Sequence, residues 1–260
     1  MTDENLDKPL VSIVVMLRDF FHLANLTLKS ITDQTESSYE IIVISASRAK
    51  RDLVMIKPFM DKIKKLEFVQ EEDLPILMNK AIELSQGKYI HYLFSGDTYV
   101  SKYVMNYLKD LIEEKKYPEF ISCAFLRRDE YSNPEAINFS FDYFKRGKIP
   151  MNIQSCWFLI DTIKTLKYFD TKYKIKPGFD MICKIFLKKD KKVIFSNRVL
   201  TDYQFKKIPS KLVLLRTYEN LKIIYNNFGL VKTISWWAIH DHFRMLKLFM
   251  LTLKRAFWNP

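Results

Sequence analysis

The sequence is poor in three residue types, with five glycines, three cysteines and four histidines in 260 residues. So little glycine excludes a collagen-like or low-complexity chain. Cys123, Cys156 and Cys183 have no C-x-x-C spacing. They point to reduced core thiols in a cytoplasmic protein rather than to a zinc site or a disulfide framework. The histidines have no metal-ligand spacing: His240 and His242, two apart on a helix, face different ways, and His91 lies inside an apolar run as a core histidine would. No G-x-x-x-x-G-K phosphate loop, G-x-G-x-x-G fingerprint or Ser/His/Asp arrangement can be argued. No stretch reaches the roughly 18 apolar residues that span a bilayer. The nearest, residues 243–258, is broken by Arg244, Lys247, Lys254 and Arg255. The opening MTDENLDKPL is polar and acidic, without the pattern of a secretory leader, so a cytoplasmic location is expected.

Apolar and basic residues are abundant. The chain is 48% hydrophobic, with 20 Phe, 14 Tyr and 4 Trp, enough for one full domain with an appendage. The net charge is +12, and from Lys206 onward ten Lys/Arg face only Glu219 and Asp241, so most of the excess lies in the last 55 residues. Such a tail suits an anionic partner, lipid or nucleic acid, and equally suits a solvated lysine-rich surface. A nucleic-acid partner is not expected, because the basic residues are interleaved with apolar ones and no binding motif is present.

Short β-branched runs alternate with helical patterns. Strands are predicted at 11–17, 39–44, 66–69 and 88–94, and helices at 23–32, 52–65, 74–85 and 101–115. This alternation predicts a mostly parallel α/β sheet flanked by helices, with ligands beyond the carboxyl ends of the strands. Those ends fall near Arg18, Ser45, Glu71 and Asp97. Further on, 120–127, 156–160 and 192–195 read as strands, 180–188 as a helix and 128–150 as a loop region. After Ile208-Pro209 two helices are predicted, 210–226 and 230–257. The expected division is therefore an α/β domain over 1–205 and basic amphipathic C-terminal helices over 206–260.

A series of motifs resembles, in order and spacing, the family 2 glycosyltransferases of GT-A (Rossmann-like) fold. Pro9-Leu-Val-Ser-Ile-Val-Val15 resembles the opening strand. Leu28-Lys-Ser-Ile-Thr-Asp-Gln-Thr35 resembles the end of the helix that follows it, and Tyr39-Glu-Ile-Ile-Val-Ile44 the second strand. The stretch from Leu77 to Ile90 resembles "RNKGIELAKGEYI", and Ser95-Gly96-Asp97 stands at the DxD-type motif. Phe169-Asp170 and Gly178-Phe-Asp180 resemble the "FDE…ED" region. The resemblance spans about residues 9–205.

The resemblance implies transfer of a sugar from a nucleotide-diphosphate donor to a glycan or lipid-linked acceptor in cell-surface polysaccharide synthesis, with inversion. It implies a divalent cation, Mn2+ or Mg2+, on Asp97, because such ions neutralise the leaving diphosphate through carboxylate oxygens. Asp180 would be the general base and Asp170 a structural neighbour. Leu17, Arg18, Ser45, Asn79, Ser95 and Gly96 would line the donor. On spacing alone Asp97 equally suits a turn or helix cap, Asp180 a helix N-terminal carboxylate, and Arg18 a surface residue.

The pattern also departs from the family. Ser45-Ala46 replaces two acids, Met78 replaces an arginine, and Phe94 or Ser95 stands for the first acid of the DxD triplet. A catalytically degenerate module supporting a partner transferase is therefore the alternative. The last predicted helix mixes aromatics, leucines and basic residues, which suits peripheral docking on the anionic inner face of a cell membrane. It equally suits packing on the catalytic domain or within an oligomer.

Overall fold

Every residue of the first strand is buried, so this strand has protein on both faces, as central strands of parallel sheets do. In the computed structural model, residues 8–18, 21–46, 53–70, 73–129, 132–139, 152–204 and 210–240 are described. The strands are β1 (Val11–Leu17), β2 (Tyr39–Ala46), β3 (Ile63–Val69), β4 (Tyr89–Phe94), β5 (Thr98–Tyr99), β6 (Phe120–Asp129), β7 (Ser132–Ile137), β8 (Cys156–Leu159) and β9 (Val193–Gln204). The helices are α1 (Ala24–Thr32), α2 (Leu53–Ile56), α3 (Leu74–Leu84), α4 (Val104–Glu114), α5 (Ile160–Thr165), α6 (Pro177–Leu187) and α7 (Ser210–His240). The chain divides into two compact units, one of residues 1–139 and 150–207, the other of residues 140–149 and 208–260.

In the first unit the described strands form one sheet in the order β3-β2-β1-β4-β8-β6-β9-β5, with β7 paired to β6. β3, β2, β1 and β4 are parallel. β8 then runs antiparallel to both β4 and β6, and β6 pairs parallel with β9. The chain winds outward from β1 to β2 and β3, then returns to the other side of β1 as β4. The order therefore reverses between β1 and β4, and in open α/β sheets the carboxyl ends at such a reversal are where ligands bind.

The alternating side chains of β1 supply two cores. Val11, Ile13, Val15 and Leu17 pack with Ala24, Leu28 and Ile31 of α1 and with Val104, Met105, Leu108 and Ile112 of α4. The buried positions of α1 follow the i, i+3, i+4, i+7 spacing of one helical face. On β4, the Tyr92 hydroxyl donates to the Met78 carbonyl of α3 (3.0 Å), which marks the side that α3 covers.

Several motif residues prove to be scaffold. Gln34 donates to the Ser30 and Ser101 carbonyls and accepts the Met105 N–H in the first turn of α4, so it caps that helix from outside. The buried Glu40 Oε1 accepts from the Ser12 hydroxyl and from the N–H groups of Gln86 and Gly87 (2.7, 2.6 and 3.2 Å). A Cβ on Gly87 would lie 2.6 Å from the Ser12 nitrogen, so only glycine fits there.

Some expected boundaries move. The helix predicted over 52–65 shortens to α2 and a 3-10 turn (Lys57–Phe59), and β3 begins at Ile63 instead of Leu66. Pro58 is the reason: it removes a helical donor and disfavours helix in the residue before it. Part of the loop predicted over 128–150 is the β6–β7 hairpin, with Pro134 in the outlying strand, where proline is tolerated. α5 was not foreseen.

In the second unit α7 breaks at Gly229, whose φ of 79° and ψ of 179° are non-helical. This agrees with the predicted separation of two helices there. The remainder of the last predicted helix, from residue 241, and the strand end at Glu71 lie outside the described residues.

Candidate functional site

The candidate site begins at the carboxyl ends of β1 and β4. The register pairs Met16 with Phe94 and Leu17 with Ser45, so Leu17, Arg18, Ser45 and the turn after Phe94 share one edge of the sheet. Leu17 and Ser45 are buried, and Arg18 is half-buried.

Residues 94–97 form a tight turn. The Asp97 N–H donates to the Phe94 carbonyl (2.9 Å), and the Phe94 N–H donates to Asp97 Oδ2 (2.8 Å). Gly96 sits third in the turn with φ 95°, the positive value that a type II turn requires and glycine supplies. Thr27 on α1 braces the turn: its Oγ1 accepts the Gly96 N–H (2.9 Å) and donates to the Phe94 carbonyl (3.3 Å). Sequence reasoning missed Thr27, although a hydroxyl on an otherwise apolar helical stripe was the available signal.

Asp97 is fully buried, so the turn-making role that its spacing allowed is realised in this state. Ser95 is also fully buried, and its Oγ has no hydrogen-bond partner among the described residues. A buried hydroxyl with no hydrogen-bond partner costs free energy, so the Ser95 Oγ is a position where a ligand would be welcome. It and the Asp97 carboxylate are hard oxygen donors of the kind that suit Mg2+ or Mn2+. Among the described residues no three His, Cys, Asp or Glu side chains gather as a metal cluster. A cation at this turn would therefore draw most of its ligands from donor phosphates and water, as Mg2+ commonly does.

A second group of candidates gathers around α6. Asp180, in the first turn of that helix, is buried, and Lys184 Nζ lies 2.6 Å from its Oδ2 one turn later. Asp170 pairs with Lys172 at 2.5 Å and accepts the Lys172 N–H (3.1 Å). Burial pushes the Asp170 carboxyl up, but the hydrogen bonds and charge of Lys172, with the charge of Lys184, outweigh it and hold the group below its ordinary value. The hydrogen bond to Asp170 raises Lys172, and the charge of Asp180 adds to this. Two acids and two lysines thus share one electrostatic cluster. The lysines were not foreseen, though Lys184 stands at the i+4 spacing from Asp180.

Asn79 is engaged elsewhere. Its Nδ2 donates to the Phe169 carbonyl and its Oδ1 accepts the Phe169 N–H, both at 2.9 Å. The amide clamps α3 to the segment that carries Asp170. The structure therefore brings together Leu17, Arg18, Ser45, Ser95, Gly96 and Asp97 at the sheet edge, and links Asn79 to the cluster of Asp170 and Asp180 through Phe169.

His91 is a core residue. Its ring stacks on Trp157 at 4.2 Å, with Nδ1 2.9 Å from the Tyr99 hydroxyl and Nε2 2.9 Å from the Gln154 carbonyl. Burial pushes its pKa down to about 3, against the raising effect of the Gln154 carbonyl. The three cysteines are buried and free, and burial raises each thiol, which keeps them unreactive.

By sequence, no family model and no curated protein matches the chain. Solved structures do. The S. aureus TarS fragment 1–349 in complex with UDP-GlcNAc superposes with a TM-score of 0.68 at 12% identity, covering 90% of this chain and 72% of the other. The same fragment in complex with UDP gives 0.66. The mannosyltransferase PcManGT from Pyrobaculum calidifontis, in complex with GDP-Man and Mn2+, gives 0.56 at 12% identity, covering 97% of this chain and 82% of the other. Likeness at this identity establishes the fold, and the expected GT-A architecture is present.

Proposed function

We propose that this protein transfers a sugar from a nucleotide-diphosphate donor to a hydroxyl of a glycan or lipid-linked acceptor. The observation that carries this reading is the buried Ser95-Gly96-Asp97 turn at the β1–β4 switch point, in a fold shared with proteins solved with UDP-GlcNAc and GDP-Man. The diphosphate would lie over the ends of β1 and β4. Arg18 would offer it a guanidinium fork, and Ser45 a hydroxyl to the base. Asp97, with Ser95 beside it, would hold the divalent cation, which when bound supplies positive charge to the departing diphosphate. Because Asp97 is fully buried, the residues over it would shift as the donor enters.

Asp180 would receive the proton of the acceptor hydroxyl. An ion-paired carboxylate does this when Lys184 moves aside for the hydroxyl, which keeps the base masked until an acceptor arrives. In-line attack opposite the leaving diphosphate would invert the anomeric centre. We place the reaction in cell-surface polysaccharide or glycoconjugate synthesis, on the inner face of the cell membrane. No helix among the described residues is long and apolar enough to cross a membrane, and the association we propose is peripheral.

A second reading keeps the fold without the chemistry, as a module supporting a partner transferase. The hydrogen bond of Asp97 to Phe94 and the absence of a second acid in the turn favour it. One screen separates the two. The first reading expects UDP, GDP or their sugar conjugates to raise the melting temperature with Mn2+ present, as mass action requires, and Asp97→Ala to abolish the rise. Indifference to every nucleotide, with co-purification of an active transferase, would establish the second.

A further inference from the structure

The helix α7 is amphipathic with its polarity reversed. Thr217, Glu219 and Asn220 are buried, together with Ile223 and Ile224. Leu214 (59% exposed), Tyr218 and Tyr225 face solvent instead, with the half-buried Leu221 between them. These four residues are spaced i, i+4, i+7 and i+11, which places them on one stripe about 60° wide. Past the break at Gly229 the pattern repeats: Leu230 (60% exposed), Ile234 and Trp237 are spaced i, i+4 and i+7, and Val231 is exposed beside them. Apolar residues exposed singly are ordinary, but an apolar stripe on each of two consecutive helical segments is an interaction surface.

Charge identifies the occupant. Glu219 is the single carboxylate of residues 210–240, and it is 1% exposed. Lys222 and Lys232 reach solvent, and Lys222 extends past Tyr218, with Nζ 3.2 Å from the Tyr218 hydroxyl. The accessible charge of this helix is therefore all positive. A protein partner would need to bury these lysines against acids. An anionic bilayer accepts both features at once, with leucine and isoleucine below the headgroups, Tyr and Trp at their level and lysine among the phosphates.

We propose that α7 lies in the plane of an anionic lipid bilayer and inserts the stripe of Leu214, Tyr218, Leu221 and Tyr225 and the stripe of Leu230, Ile234 and Trp237. Gly229 sets the break that lets the two segments follow one surface. This deepens the proposed function by naming the surface that would carry the protein to a lipid-linked acceptor, but its test does not require activity. The full chain is sedimented with vesicles of phosphatidylcholine alone and with about a third phosphatidylglycerol added. Wild type is expected to sediment with the anionic vesicles and to be released as salt rises.

The exposed-site variant Leu214→Glu/Leu230→Glu/Ile234→Glu is expected to lose at least about tenfold in vesicle partitioning, from lost apolar burial alone. Its far-UV circular dichroism should not change, and its response to nucleotide and Mn2+ should match wild type. A nucleotide response with no vesicle binding would overturn this proposal and leave the donor reading standing. Vesicle binding without any nucleotide response would do the reverse. Equal partitioning of wild type and variant would overturn it. So would a concentration-dependent dimer that the variant abolishes, which would make the stripe a contact between copies.

Discussion

A carboxylate and an imidazole illustrate how burial sets the behaviour of single residues here. Asp180 is buried and ion-paired with Lys184, and under the proposed function it would be the base. Asp180→Asn keeps the shape and removes the proton acceptor, so kcat for transfer is expected to fall by about 10²–10⁴ with donor binding unchanged. Parallel loss of donor binding, or unchanged kcat, would assign the residue to structure. His91 is neutral by burial. Its folded pKa of about 3 lies below the ordinary 6.5, so the unfolded chain takes up a proton that the folded chain refuses. The stabilising contribution is thus complete above pH 6.5 and drains away as pH falls toward 3. Between pH 5.5 and 4.5, urea denaturation of wild type is expected to lose about 1.4 kcal/mol per pH unit more than His91→Gln. Identical pH slopes would show that the histidine is solvated.

At the scale of elements, the sequence made visible whatever follows from local periodicity. The parallel strands β1, β2 and β4 and helices α1, α3 and α4 all repeat apolar residues at the strand or helix period, and all were legible. The elements that failed are set by neighbours. β7 holds only two small or aliphatic apolar residues, Ala136 and Ile137 at its end, and exists because β6 offers it an edge. α2 stops because Pro58 outweighs the apolar pattern around it.

The candidate site divides in the same way. The turn residues Ser95-Gly96-Asp97 were legible because glycine and acid after a buried strand are a local signal. Thr27 braces a turn far along the chain, so only its hydroxyl on an apolar stripe hinted at its role, whereas Lys172 and Lys184 stand two and four residues from the acids they pair with, a local signal that went unread. Asn79 was expected to face the donor and instead clamps Phe169, since a residue resemblance does not say which backbone its amide meets. The Glu40–Gly87 junction gives this scale its test. Gly87→Ala drives a methyl to within 2.6 Å of the Ser12 nitrogen and is expected to cost about 2–3 kcal/mol in denaturant unfolding. Gly178→Ala at the start of α6 meets only the tip of Ile153, at 3.0 Å, and should cost less. A tolerated Gly87→Ala would contradict the close approach.

Across the whole molecule, the sheet reverses its order at β1 and β4, and the turn after β4 places one buried carboxylate at that reversal. Under the proposed function, Phe94 or Ser95 in place of the first acid of the DxD triplet leaves few protein ligands for a metal, so the donor itself would be part of the cation site. Cation and nucleotide should therefore bind as a pair, each strengthening the other by the same factor. The most direct test is titration of Mn2+ into the full chain, read by the paramagnetic resonance of the free ion, with and without the nucleoside diphosphate that stabilises the protein. The account predicts uptake of about one Mn2+ per chain that requires the nucleotide and vanishes in Asp97→Asn. Uptake that ignores the nucleotide, or that survives intact in Asp97→Asn, would contradict it.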